Sequence, residues 1–259
     1  QLTQAGEYAL QVAQNGCWSP MVYQNFSVFP IPQGTLSTNA PICEGETLTV
    51  NATASVGNNP QFNWQNANGQ TIGNSSNLTI NPVTLAWNGT VQLQITADGC
   101  SSPWISQDVV IYPIPLVTFS GDVAYCQGEN VLMQATSQVP SSMAWSGPLG
   151  FMATGNSVSL SNAQPNVSGA YAVTASANGC VSEPTVWNIV VNPNPIVSIS
   201  TADSSICIGE SITLTLVGAP NGYWTGAQQG SSISFTPNND VYVAVTGVDE
   251  NGCTNEAGI

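Results

Sequence analysis

Residues 42–54 read ICEGETLTVNATA, and two later segments of the chain repeat their pattern. These are YCQGENVLMQATS at residues 125–137 and ICIGESITLTLVG at residues 206–218. Each copy begins with a cysteine followed by Gly-Glu and continues with alternating apolar and polar residues. Alternation with a period of two predicts a half-buried β-strand. The chain is therefore expected to contain a strand-rich unit that recurs about every 80 residues.

A tryptophan and a second cysteine follow each of these segments in the same order. Every second cysteine comes directly after an Asn-Gly or Asp-Gly pair, which favours a tight hairpin because both turn residues take positive φ. Short strands, frequent turns and the order Cys, Trp, Cys predict a seven-stranded immunoglobulin-like β-sandwich. The tryptophans, which we expect to pack in the core, are Trp64, Trp145 and Trp224. The second cysteines are Cys100, Cys180 and Cys253.

The repeat pattern divides the chain into four segments of one all-β architecture. Residues 1–32 end with the same hairpin and Pro-x-Pro as the later units, which predicts the C-terminal part of a truncated repeat. Repeats are predicted at 33–115 and 116–195, and a further repeat at 196–259 is expected to lack its last strand. Because Pro-x-Pro linkers favour extended backbone, we expect the tandem domains to form an extended rod.

The seven cysteines are predicted to form one disulfide within each repeat. A zinc site is the disfavoured alternative, because the chain has no His and no Cys-x-x-Cys pair. Oxidised cysteines predict an extracellular or periplasmic setting. The expected pairs are Cys43 with Cys100, Cys126 with Cys180 and Cys207 with Cys253, and Cys17 is expected to pair outside the chain.

The charge composition excludes several classes of function. The 259 residues include 14 Asp or Glu and no Lys, Arg or His. Without cationic side chains the chain cannot neutralise phosphates, which excludes nucleic-acid partners and attraction to anionic lipids. The usual catalytic bases and their nucleophile partners are missing as well, so we expect no catalytic residue and no enzyme. No apolar run is long enough for a membrane span, so we expect no direct membrane insertion.

Acidic residues near the first cysteine of each repeat suggest one metal-binding hypothesis. Calcium prefers hard oxygen ligands, so carboxylates clustered at a turn could bind it near each domain junction. The alternative is that Glu caps exposed backbone at the strand start and that Asp forms a linker turn. No other cofactor is predicted. The candidate ligands are Glu46, Glu129, Glu210, Asp122 and Asp203.

Four tryptophans lie outside the core series. Exposed aromatic rings can stack on sugars, which would make the chain a glycan-binding array. These residues do not recur at one repeat position, and this favours packing at sandwich edges or domain interfaces instead. The four are Trp18, Trp87, Trp104 and Trp187.

The combination of I-C-x-G-E, a central Trp, x-N-G-C and P-x-P linkers resembles the Ig-like and PKD-like tandem repeats of large Bacteroidota cell-surface proteins. That group includes gliding-motility adhesins and other products of the type IX secretion system. The resemblance covers essentially the whole chain and implies a secreted bacterial protein located outside the cell or on its surface. It also implies roles in adhesion, surface filaments or motility.

The function expected from the sequence is a non-catalytic structural or adhesive repeat array of an extracellular filament or cell-surface stalk. Its expected partners are neighbouring copies or repeats of the same protein, with surface glycans as a further candidate. Two alternatives remain open. The first is a carbohydrate-binding module array, and the second is the spacer region of a larger secreted enzyme.

Overall fold

The computed structural model describes residues 4–203 and 205–259, which form strands joined by tight turns and short 3-10 helices. No helix in this part of the chain is long and apolar enough to cross a membrane. The chain divides into two compact units, residues 1–114 with Asn178–Cys180, and residues 115–177 with 181–259. The 3-10 helices are Leu85–Trp87, Pro148–Gly150 and Pro165–Val167.

The N-terminal segment forms two strand pairs. Its strands are β1 (Gly6–Leu10), β2 (Ala13–Gln14), β3 (Cys17–Trp18) and β4 (Val22–Phe26). Strand β1 pairs antiparallel with β4, and β2 pairs with β3 across Asn15-Gly16. Both turn residues have positive φ, 50° and 84°, as the Asn-Gly pair predicts. Every residue of the four strands is exposed, so these strands add nothing to a buried core.

Residues 33–115 form two main sheets around one core, and β6 and β14 form a separate two-stranded sheet. The strands are β5 (Gly34–Thr38), β6 (Ile42–Cys43), β7 (Leu48–Ala54), β8 (Gln61–Gln65), β9 (Thr71–Gly73), β10 (Asn77–Ile80), β11 (Gly89–Ala97), β12 (Cys100–Ser101), β13 (Ile105–Val109) and β14 (Ile111–Tyr112). One sheet has the order β10-β7-β5, and in the other β8 and β13 flank β11 while β9 pairs with β8. Strand β6 runs parallel to β14, with Cys43 opposite Tyr112. Trp64, Leu48 and Leu93 are fully buried between the sheets.

Residues 116–195 repeat this arrangement. The strands are β15 (Val117–Ser120), β16 (Ala124–Cys126), β17 (Val131–Ser137), β18 (Ser142–Ser146), β19 (Met152–Thr154), β20 (Ser157–Leu160), β21 (Gly169–Ala177), β22 (Cys180–Val181) and β23 (Thr185–Asn192). The sheets have the orders β15-β17-β20 and β16-β23-β21-β18-β19. Strand β16 runs parallel to β23 and places Cys126 opposite Asn192. Trp145 and Tyr171 are buried in the core.

Residues 196–259 form a third sandwich with a smaller core around Trp224. The strands are β24 (Ser198–Ser200), β25 (Ile212–Val217), β26 (Asn221–Trp224), β27 (Gln228–Gln229), β28 (Ser232–Phe235), β29 (Ala244–Val248) and β30 (Thr254–Gly258). The sheets have the orders β24-β25-β28 and β27-β26-β29-β30.

The prediction that residues 196–259 lack a last strand is wrong, because β30 pairs with β29 over its whole length. In the two preceding repeats the last strand begins several residues after the second cysteine, at Ile105 and Thr185. Strand β30 instead begins directly after Cys253. Because no residues separate Cys253 from the strand, a last strand fits before Ile259.

The strand order defines the fold. Each sandwich has seven main strands, which in residues 33–115 are β5, β7, β8, β9, β10, β11 and β13. The first, second and fifth form one sheet, and the third, fourth, sixth and seventh form the other, which is the immunoglobulin-like arrangement. The alternation seen in the sequence produces this packing: Val91, Leu93, Ile95 and Ala97 of β11 are buried while the residues between them are not. The prediction of an all-β chain of tandem immunoglobulin-like β-sandwiches is confirmed.

Candidate functional site

The C-x-G-E segment forms the same hydrogen-bonded turn in all three repeats. In the central copy, the backbone N–H of Cys126 donates to Oε2 of Glu129 at 2.7 Å, and the backbone N–H of Glu129 donates to the Cys126 carbonyl at 3.1 Å. The corresponding backbone-to-carboxylate distances are 2.8 Å from Cys43 to Glu46 and 2.9 Å from Cys207 to Glu210. The carboxylate therefore caps the backbone, as the alternative to a calcium site predicts.

Glycine is required inside this turn. Gly45, Gly128 and Gly209 have φ of 88°, 91° and 91°, in the left-handed region that residues with a Cβ rarely adopt. In each turn Gly therefore provides the positive φ, and the Glu carboxylate provides the hydrogen-bond acceptor.

The structure does not assemble the predicted calcium site. Among residues 4–203 and 205–259, no group of three or more His, Cys, Asp or Glu side chains lies close enough to hold a metal ion. Glu46, Glu129 and Glu210 each use a carboxylate oxygen to accept the cysteine N–H. Asp122 and Asp203 contribute to no such group, and calcium normally takes six or more oxygen ligands.

The predicted disulfides within repeats are wrong. The structure instead contains Cys43–Cys180, with a Cα–Cα distance of 5.6 Å, and Cys126–Cys253, with a Cα–Cα distance of 5.4 Å. Neither Cys43–Cys100, nor Cys126–Cys180, nor Cys207–Cys253 forms. Each observed bond joins the first cysteine of one repeat to the second cysteine of the following repeat. Cys43 and Cys180 both belong to the first compact unit, and Cys126 and Cys253 both belong to the second.

Strand geometry explains the error. Cys43 lies opposite Tyr112, at the end of the last strand of its repeat. Cys100 lies before the start of that strand, directly after the hairpin turn. At about 3.3 Å per residue, the stretch from Ile105 to Tyr112 alone spans roughly 20 Å. A disulfide allows a Cα–Cα distance of only about 7 Å, so the two cysteines of one repeat cannot meet.

Three cysteines carry free thiols in the structure. Cys17 and Cys207 are exposed, and Cys100 is half-buried. The Cys100 thiol donates to the carbonyl oxygen of Phe29 at an Sγ–O distance of 3.8 Å. In contrast, the bonded second cysteines Cys180 and Cys253 are buried.

The predicted core tryptophans are almost inaccessible, and each also satisfies its indole N–H. Trp64, Trp145 and Trp224 are at most 3% exposed. Their Nε1–H groups donate to backbone carbonyls at distances of 2.8, 2.7 and 3.0 Å. The acceptors belong to Ser75, Gly155 and Gly230. In each repeat the tryptophan thus packs between the sheets, and its indole N–H holds a loop by a hydrogen bond.

The tryptophans outside the core series differ in their surroundings. Trp87 packs against the core of its repeat, and Trp187 stacks on Phe119 with a centroid distance of 4.3 Å. Trp18 and Trp104 are 68% and 40% exposed. These two exposed rings lie on different parts of their repeats and form no shared platform at one repeat position.

A tyrosine corner is a feature that the sequence analysis did not identify. Tyr171 near the start of β21 is 2% exposed, and its hydroxyl donates to the Val167 carbonyl at 2.8 Å. Burial raises the pKa of the Tyr171 hydroxyl. A Tyr placed near the start of the sixth strand, just after a Pro-containing corner, could have signalled this contact.

Comparison with solved structures gives similarities to tandem immunoglobulin domains. Three N-terminal domains of the bacteriophage RB49 outer capsid protein Hoc are 13% identical, with a TM-score of 0.41, over 90% of this chain and 96% of theirs. A marsupial T cell receptor is 10% identical, with a TM-score of 0.44, over 87% and 99%. Immunoglobulin domains 1–5 of Sidekick-1 are 14% identical, with a TM-score of 0.40, over 100% and 66%. Neither a protein-family profile nor a curated protein sequence matches the chain. The strand order, rather than these similarities, defines the fold.

Proposed function

We propose that this chain is a non-catalytic structural or adhesive repeat array of an extracellular filament or cell-surface stalk. The observation that carries the proposal is how the recurring residues are used. Each recurring Glu holds a turn, each recurring Trp fills a core, and four of the recurring cysteines form cross-links. Because the recurring residues maintain the fold, they favour a role in which the array of repeats is itself the functional structure.

The cleft of the third sandwich favours a non-catalytic role. A cleft of about 490 Å³ in the third sandwich is lined mainly by apolar side chains, among them Leu214, Phe235 and Val243. Among the described residues that line it, Asp240 is the one with a side-chain carboxylate. Most enzymes that hydrolyse glycosidic bonds use a pair of carboxylates, and the chain has no His or Lys to replace the second one.

The cross-links support a location outside the cell. Disulfides persist in oxidising compartments such as the periplasm and the cell surface. The motif resemblance to Bacteroidota repeats favours export from a bacterial cell, with neighbouring copies or repeats as partners. A net charge of −14 favours solubility and disfavours close lateral contact between copies at neutral pH.

Immunogold electron microscopy on cells of the source organism tests this function. Antibodies against residues 1–259 are expected to label filaments or stalks outside the envelope, and cells that lack the gene serve as the control. Label confined to the cell interior, or only to freely soluble protein in the medium, would contradict the proposal.

A glycan array distinguishes the carbohydrate-binding alternative. We expect that no glycan binds the chain in a way that both Trp18→Ala and Trp104→Ala weaken. Binding that falls tenfold or more in each variant, but not in a Leu149→Ala variant that removes another exposed side chain, would favour the carbohydrate-binding array instead.

A further inference from the structure

The cysteines of the chain fall into two positional classes. First-position cysteines open the C-x-G-E turn, and second-position cysteines follow the Asn-Gly or Asp-Gly hairpin. Both disulfides join a first-position cysteine to the second-position cysteine of the next repeat. The first-position cysteines are Cys43, Cys126 and Cys207, and the second-position cysteines are Cys17, Cys100, Cys180 and Cys253. The free thiols are therefore one first-position cysteine and two second-position cysteines.

Cys207 occupies the same turn as its bonded counterparts. Its backbone N–H donates to Glu210 Oε2 at 2.9 Å, and the Glu210 N–H donates to the Cys207 carbonyl at 3.0 Å. These distances match those at Cys43 and Cys126, which are in disulfides. The turn therefore forms at Cys207 without a disulfide, and it holds the exposed thiol in the same turn in which Cys43 and Cys126 are oxidised.

Cys100 lies beside the backbone position with which a first-position cysteine of another repeat would pair. Its Sγ is 3.8 Å from the carbonyl oxygen of Phe29, the residue that precedes the first Pro-x-Pro linker. In the next repeat, Tyr112 precedes the linker and pairs in parallel with Cys43, the partner of Cys180. Asn192 likewise precedes a linker and pairs with Cys126, the partner of Cys253. A first-position cysteine paired with Phe29 would therefore lie beside Cys100.

We infer that Cys100 and Cys207 each form the same kind of inter-repeat disulfide that the structure shows twice. Each of them bonds to a cysteine of the other positional class in another repeat of this kind. Cys207 takes a second-position cysteine, and Cys100 takes a first-position cysteine. Cys17 belongs to the same class as Cys100 and follows the same rule. The inference goes beyond the proposed function, because it concerns covalent continuity between repeats.

The chemistry requires an oxidant. The two thiols together lose two protons and two electrons as the Sγ–Sγ bond forms. A disulfide of a thiol–disulfide oxidoreductase accepts them by exchange and is released as a dithiol. The complementary cysteine can belong to another repeat of the same polypeptide or to a second copy of it, and the bond formed is the same in both cases.

Peptide mapping of the native protein tests the inference. The protein is alkylated with N-ethylmaleimide and digested with pepsin, because trypsin has no Lys or Arg to cut after in this chain. We expect the Cys207 peptide to be linked to a peptide with Asn-Gly-Cys or Asp-Gly-Cys, and the Cys100 peptide to one with Cys-x-Gly-Glu. Alkylated Cys207 and Cys100, or links between cysteines of one class, would overturn it.

Two further readouts complete the test. A Cys207→Ser variant of the full protein is expected to expose one new alkylatable thiol, on a second-position cysteine, whereas Ser205→Ala exposes none. If Cys207→Ser exposes no new thiol, the inference fails. On a denaturing gel, bands that collapse on reduction identify a second copy as the source, and a single band that is unchanged in mass identifies the same polypeptide. Either gel result, together with the mapped links, supports the inference, and filament labelling tests the proposed function separately.

Discussion

A single carboxylate closes each C-x-G-E turn. At Glu129 it accepts the Cys126 N–H at 2.7 Å, while the Glu129 N–H donates back to Cys126. A hydrogen bond to a charged acceptor is stronger than one between neutral groups, although exposure to water weakens it. The turn fixes the direction in which the cysteine leaves strand β16, so the carboxylate also orients the disulfide.

Replacement of this carboxylate should measurably destabilise the repeat. Glu129→Ala removes the acceptor and is expected to lower the free energy of unfolding by about 1 kcal/mol, whereas Glu129→Gln keeps an acceptor and should lose less. Chemical denaturation of the oxidised protein provides the measurement. The exposed Glu183→Ala is the matched control, and an equal loss in both Ala variants would contradict the assigned role.

The tyrosine corner makes a prediction about alkaline pH. Burial raises the pKa of Tyr171 in the folded state, so the folded protein holds this proton more tightly than the unfolded chain. The resulting stability is present below pH 10 and is lost as the pH rises through the folded pKa. We expect Tyr171→Phe to cost about 1 kcal/mol at pH 7, from the lost hydroxyl bond to Val167, and to flatten the alkaline decline.

Denaturation curves between pH 7 and pH 11 measure both effects. Tyr223→Phe is the control, because Tyr223 is 54% exposed. An alkaline decline that is equally steep in the wild type and in Tyr171→Phe would refute the prediction.

In the repeats at 33–115 and 116–195, a side chain from the corner before the sixth strand holds the last strand in place. Asn88 accepts the Ile111 N–H at 2.6 Å and donates to the Ile111 carbonyl at 3.0 Å. Ser168 accepts the Val191 N–H at 2.9 Å in the following repeat. These contacts hold the end of the strand where the first-position cysteine pairs with it.

Asn88→Ala is expected to loosen this strand end. Ile111 is 2% exposed, so its backbone groups would lose partners where water reaches them poorly, at a cost of about 1–3 kcal/mol. Hydrogen exchange should speed up at Ile111 and Tyr112 more than in β11. The control Asn77→Ala changes an exposed residue of β10, and unchanged exchange at Ile111 in Asn88→Ala would contradict the prediction.

The elements could be predicted from the sequence because their signals are local. Alternation identified β7, β17 and β25, and Asn178-Gly179 identified the hairpin after β21 with φ of 52° and 86°. The core position of Trp145 followed from its place between the cysteines. The disulfide partners could not be found in this way, because they depend on strand length: β23 carries the chain away from the hairpin before Asn192 meets Cys126.

The two disulfide loops overlap along the chain. Cys43–Cys180 encloses Cys126, and Cys126–Cys253 encloses Cys180. The shortest covalent path from end to end crosses both bonds and runs backwards from Cys180 to Cys126. About 100 residues lie on that path, which at about 3.5 Å per residue extends to roughly 350 Å.

Single-molecule stretching measures this length. We expect oxidised protein to reach a contour length of about 350 Å and reduced protein to reach about 900 Å, as expected for 259 extended residues. Cys126→Ser, which leaves only Cys43–Cys180, should give an intermediate value, and Cys17→Ser, which removes a free thiol, should match the wild type. Equal lengths with and without reductant would contradict the overlapping loops.

Uniform negative charge predicts association in acid. All 14 formal side-chain charges are negative at neutral pH, so copies repel one another. Protonation of carboxylates removes the repulsion, and turbidity is expected to rise as the pH approaches the isoelectric point of about 4.1. High salt at pH 7 should raise turbidity less than acid does. A clear solution throughout the titration would refute this prediction.

The overlap of the two loops also determines what happens when the backbone is severed. A cut between Cys43 and Cys126 leaves the fragments joined through Cys43–Cys180, and a cut between Cys180 and Cys253 leaves them joined through Cys126–Cys253. A cut between Cys126 and Cys180 is spanned by both bonds. A protein with this connectivity can be nicked once anywhere from Cys43 to Cys253 and still transmit tension as one covalent molecule, which fits the structural role proposed above.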